Sequence, residues 1–126
     1  MLALTLLIGG ILELAARSPY VGLTLDLLAE IQLFASVSEP DQAAEHLSAA
    51  RALAKQAATL YGRMLNDDQQ RHRVTDANVI DGLVTSLVIS AAIEQTADPK
   101  EAARLGGDAV RLIRDRLGSE PLLNRE

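Results

Sequence analysis

Apolar residues recur along the chain at steps of three and four, the spacing of one helix face, over five stretches. The pattern predicts helices at about 2–17, 19–37, 41–65, 76–97 and 99–117. Three starts are marked by chemistry as well as by pattern. Pro19, Pro40 and Pro99 follow Ser18, Glu39 and Asp98, and proline suits the first helical position because its missing N–H would have lacked a partner there. Ser18 and Asp98 read as N-caps, and Glu101 stands three residues after Asp98 as in a capping box. A fourth start falls at Thr75 or Asp76, after the polar residues 66–73, which read as a loop. Gly118 followed by Pro121 reads as a stop. The fold class expected is all-α: one helical domain over residues 1–118, a bundle of about five helices, with a short tail at 119–126.

The five stretches differ in character. The third carries a stripe of Ala43, Leu47, Ala50, Ala54, Ala57 and Tyr61, with Glu45, Lys55, Thr59 and Arg63 on the other side. The fifth turns Ala102, Leu105, Ala109, Leu112 and Ile113 one way and Arg104, Asp108, Arg111 and Asp115 the other. Both are amphipathic helices with one wet face. The second has a stripe of Tyr20, Leu23, Leu27, Ile31 and Phe34, widened by Leu25, Leu28, Leu33 and Val37, and only Asp26, Glu30 and Ser36 ask for water. The first is apolar on nearly every side, through Leu2, Leu4, Leu6, Leu7, Ile8, Ile11, Leu12 and Leu14. A helix apolar all round is buried all round, and each leucine buried is worth about 1.5–3 kcal/mol. Because the third and fifth helices keep broad polar faces, a second subunit is the expected cover.

On the fourth helix Gly82, Ser86 and Ser90 form a strip of small side chains that lets another helix approach closely. Gly9-Gly10 and Gly106-Gly107 lie inside helical patterns, where each glycine costs about 1 kcal/mol relative to alanine; close helix packing is the expected reason. The segment from Glu39 to Ala44 is echoed 59 residues later from Asp98 to Ala103. Ala43, Leu47 and Ala50, with Phe34 upstream, resemble the second helix of a tetratricopeptide unit. That resemblance implies a stacked pair of helical hairpins, although the offset of 59 is not the repeat length of about 34 and Gly106 stands where a large residue belongs.

Composition narrows the function classes. Twelve basic and seventeen acidic residues leave a net charge of −5, which disfavours a phosphate backbone, and three aromatic residues offer little stacking for bases or sugars. No nucleic-acid partner is expected. The absence of cysteine excludes disulfides and thiolate metal sites and fits a cytoplasmic protein. Glu13 interrupts the apolar opening stretch well short of the roughly twenty residues that span a bilayer, so no stable membrane insertion is expected. His46 and His72 have no partner at metal-ligand spacing. Asp67 and Asp68 lack the alternation and glycine of a calcium loop. No Gly-x-Ser-x-Gly elbow or phosphate loop occurs, and nothing pairs Asp26, Glu30 or Asp81 for acid–base work. Arg63, Arg71, His72 and Arg73 make residues 41–74 slightly positive, at +1; a solvated turn accounts for them.

No catalytic, cofactor or metal residue is expected. The reading is a non-enzymatic protein–protein interaction module, such as an adaptor, assembly or regulatory subunit. It would self-associate as a homodimer or larger homo-oligomer, or take another protein partner, through Leu4, Ile8, Ile11, Leu25, Leu33 and Val37. The alternative is a bundle that binds an apolar small molecule between its helices.

Overall fold

The computed structural model describes residues 19–119, with side chains from 20 to 116. The described residues are all-helical: α1 (Pro19–Ser38), α2 (Ala43–Gln70), α3 (Ala77–Glu94) and α4 (Pro99–Ser119), with a 3-10 turn at Pro40–Gln42 between α1 and α2. The helix expected at 2–17 lies outside the described residues, so four of the five expected helices are seen.

The helix starts follow the local chemistry. Asp76 accepts the N–H of Asn78 at 2.8 Å and opens α3, and Asp98 accepts the N–H of Glu101 at 3.2 Å and opens α4. Pro40 begins the 3-10 turn rather than an α-helix, and α2 starts three residues later. The helix then runs on through residues 66–70, whose polarity alone predicts a loop. No glycine or proline stops it there, and Asp67 pairs one turn ahead with Arg71 at 3.1 Å. It ends at Gln70, and His72 just beyond has a left-handed φ of 54° that stops the helical ladder.

The core sits where α1, α2 and α3 meet, in two apolar clusters. One joins Leu25 of α1 to Ala57, Leu60 and Tyr61 of α2 and Val79 of α3. The other joins Ala29 to Ala50 and Ala54 and to Ile89 and Ile93. The four alanines are fully buried and carry no bulk beyond a methyl group, which lets α1 and α2 approach along most of their shared length. The third-helix stripe read from sequence is therefore the one that faces inward. α4 packs against the other side of α3, burying Ala109 and turning outward the charge ladder of Glu101, Arg104, Asp108 and Arg111. Arg116 ties the end of α4 to Asp81 at the start of α3. Arg51 of α2 makes a two-pronged bond to Glu94 of α3, at 2.7 and 3.2 Å.

Candidate functional site

α1 has two faces, and the structure inverts the expected one. Its inward side is Val21, Gly22, Leu25, Asp26, Ala29 and Leu33, buried or half-buried. On the opposite side of the helix, Tyr20, Leu23, Leu27, Ile31 and Phe34 are exposed, from 50% at Leu23 to 76% at Phe34. Those five form the stripe picked out by hydrophobic spacing. Leu28 and Val37 are exposed beside them. The seven side chains together present on the order of 800 Å² of accessible surface, above the roughly 300–600 Å² of the largest apolar patch on an ordinary monomer.

The inward face is set by what α2 and α3 offer it. Tyr61 of α2, 2% exposed, lies with its ring between Gly22 of α1 and Gly82 of α3. A methyl group on either glycine would overlap the ring. One turn along each helix, Ser86 of α3 stands within 2.8 and 3.0 Å of the two carboxylate oxygens of Asp26, and both residues are buried. The small strip on α3 thus does admit close approach, through Gly82 and Ser86. Asp26, which sequence places in water, belongs to the interior. By contrast, a side chain at Gly106 or Gly107 would meet open space, so close packing is not why those glycines stand in α4.

The buried Asp26–Ser86 pair beside Tyr61 has its own electrostatics. Burial pushes the Asp26 carboxyl up to about 6, against the opposing effect of the Ser86 hydrogen bond and with added repulsion from Glu30. Burial, and then the Asp26 charge, push the Tyr61 phenol up to about 12. Ser86 has one proton and three acceptors in reach, the third being the Gly82 carbonyl at 2.9 Å. A protonated Asp26 resolves that shortage, because its own O–H can donate to Ser86 Oγ while Ser86 donates to Gly82. Fully buried, the Ser86 hydroxyl has no path to a substrate here; its geometry is that of a structural bond.

The residues expected to make contact fall in three places. Leu4, Ile8 and Ile11 lie outside the described residues. Leu25 is 7% exposed within the core and Leu33 is half-buried against the second cluster, so neither is offered to a partner, whereas Val37 is exposed. Tyr20, Leu23, Leu27, Ile31 and Phe34, exposed on α1, are not among the expected contact residues. The signal for them was present in the competing face, where Gly22, Asp26, Ala29 and Leu33 recur at the same period opposite the small strip of α3.

The remaining chemistry is ordinary. His46 bonds Gln32 at 2.7 Å and approaches Glu39 at 3.4 Å, joining the start of α2 to the end of α1. Arg71 pairs with Asp67, and Arg73 with Asp67 and Asp68, so the basic turn is largely neutralised by its own acids. Among the described residues no three His, Asp or Glu side chains gather as a metal site would require. An open groove of ≈ 490 Å³ runs between the end of α3 and the start of α4, lined by Val88, Ala91, Ala92, Pro99 and Ala102. By length and hydropathy, α1 from Tyr20 to Ser38 and α3 from Ala77 to Glu94 are each sufficient to cross a membrane, a property that core helices of soluble proteins share. Comparison with protein families, curated proteins and solved structures finds no match to this chain.

Proposed function

We propose that this protein is a non-enzymatic interaction module that self-associates through the apolar outer side of its N-terminal helices. The observation that carries the reading is the outward stripe of α1, with Tyr20 and Phe34 each about three-quarters exposed. Its accessible area, on the order of 800 Å², is the scale of one partner's share in a stable interface. Water leaves such a surface favourably, at about 25 cal/mol per Å² of apolar area buried. The expected contact residues Leu4, Ile8 and Ile11 precede α1 in sequence and are apolar too.

A lipid surface is the weaker occupant. α1 contains no lysine or arginine, and its charges are Asp26 and Glu30, whereas helices that lie on anionic membranes carry basic flanks. Nor is a small apolar ligand favoured, because the groove between α3 and α4 is partly open to solvent rather than enclosing.

Light scattering on purified protein tests the reading. Wild type is expected at a multiple of 13.5 kDa, and a variant with Leu27→Glu and Ile31→Glu at that mass itself with unchanged helix content. A wild type that stays at the mass of a single chain at high micromolar concentration would overturn the reading.

A further inference from the structure

The outward stripe of α1 has a symmetry of its own. Tyr20, Leu23, Leu27, Ile31 and Phe34 are spaced by three, four, four and three residues, so the series reads alike in both directions. Its chemistry reads alike too: aromatic, aliphatic, leucine, aliphatic, aromatic. All five are exposed, and the helix carrying them is 20 residues long, about 30 Å. The stripe therefore runs from Tyr20 to Phe34, about three-quarters of that length, centred on Leu27.

We infer that two copies of this chain pair through α1 in antiparallel fashion, about a two-fold axis passing beside Leu27. This rests on the self-association proposed above and specifies its geometry. An isologous contact requires one patch to be complementary to itself under a two-fold rotation. With the helices antiparallel, Leu27 of each copy meets Leu27 of the other, Leu23 meets Ile31, and Tyr20 meets Phe34. Each end of the seam is then closed by an aromatic pair, whose offset or edge-to-face contact adds about 0.5–1.5 kcal/mol beyond area. A shallow crossing of about 20°, in which rows three residues apart on one helix sit between rows four apart on the other, keeps the whole stripe in contact. Opposed helix dipoles favour this direction over a parallel one. The seam holds no cation, and Glu30 and Thr24 flank it on opposite sides, where water reaches both.

The chain has no cysteine, so single-cysteine variants report contact without background. Under mild oxidation Leu27→Cys is expected to give a disulfide-linked dimer. Tyr20→Cys mixed with Phe34→Cys should give mostly the mixed species, with little of either homodimer. Mass from light scattering is read on the same samples under reducing conditions. A dimeric mass with Tyr20→Cys linking to itself would overturn the antiparallel geometry and leave self-association standing. A monomeric mass with no cross-linking would overturn both. A monomer whose Leu27→Cys thiol is shielded from a maleimide would put the cover within the same chain. Flotation of the wild type with neutral phosphatidylcholine vesicles would make the occupant a lipid surface. Either result ends the pairing.

Discussion

α1 and α2 lie side by side and treat their hydrophobic stripes oppositely. α2 buries Ala50, Ala54, Ala57 and Tyr61, the residues its spacing selects, and exposes Lys55, Gln56 and Thr59. α1 buries Gly22, Asp26 and Ala29 and exposes its largest apolar side chains. Bulk decides which face goes in. The space between α1 and α3 is already filled by the Tyr61 ring from α2, which only glycine at positions 22 and 82 can accommodate. A helix whose outer face is bulky and apolar must meet that slot with its small face and leave the greasier one for something else.

The sharpest way to break this comparison is to remove one aromatic from each side. Tyr61→Ala is expected to cost about 3–5 kcal/mol in urea unfolding, the range for emptying a packed aromatic site. Phe34→Ala, measured below the association range, is expected within about 0.5 kcal/mol of wild type, as for other surface changes. A similar cost for both would mean that the two faces are alike.

The slot itself comes next. Gly82→Ala should lower stability by about 1–3 kcal/mol through crowding of Tyr61, despite the gain of about 1 kcal/mol that alanine brings to a helix. Gly107→Ala, with open space around it, should instead stabilise by up to that amount. Thermal melts of the two variants should therefore move in opposite directions.

Asp26 gives a pH signature of comparable or smaller size. Its folded pKa of about 6 lies above the ordinary 3.8, so ionising it opposes folding. Its contribution to stability is full below pH 3.8 and is lost as pH rises through 6. Asp26→Asn should therefore be more stable than wild type at pH 8 by roughly 1–2 kcal/mol, screening by nearby water allowed for, and should lose that advantage at acid pH. Urea midpoints for both proteins at several pH values give the curve, and a constant difference across pH would refute the assignment. The smallest effect is expected at the rim of the bundle. Arg51→Ala, which opens a largely exposed pair with Glu94, should cost no more than about 1 kcal/mol.

The helix class and most boundaries were legible because proline, cap residues and period act locally. Asp98 and Asp76 cap where their chemistry says they should. α2 ran past its expected end because Asp67 and Arg71, polar enough for a loop, also suit a helix surface one turn apart. The direction in which α1 faces was not legible from α1 alone. Periodicity finds a stripe, but Gly22, Asp26 and Ala29 become the inner face only once Tyr61, Gly82 and Ser86 are brought opposite them, from segments 32 and more residues away. For the same reason the buried carboxylate looked like a surface charge: what makes Asp26 tolerable inside is a hydroxyl 60 residues further on.

Because the chain lacks tryptophan, one fluorophore can report on the outer face directly. Phe34→Trp should emit as a water-exposed indole when dilute and shift to the blue as concentration rises, and the shift should vanish once Leu27→Glu is added. Emission that is blue at every concentration, or that never moves, would contradict a surface that waits for a second copy.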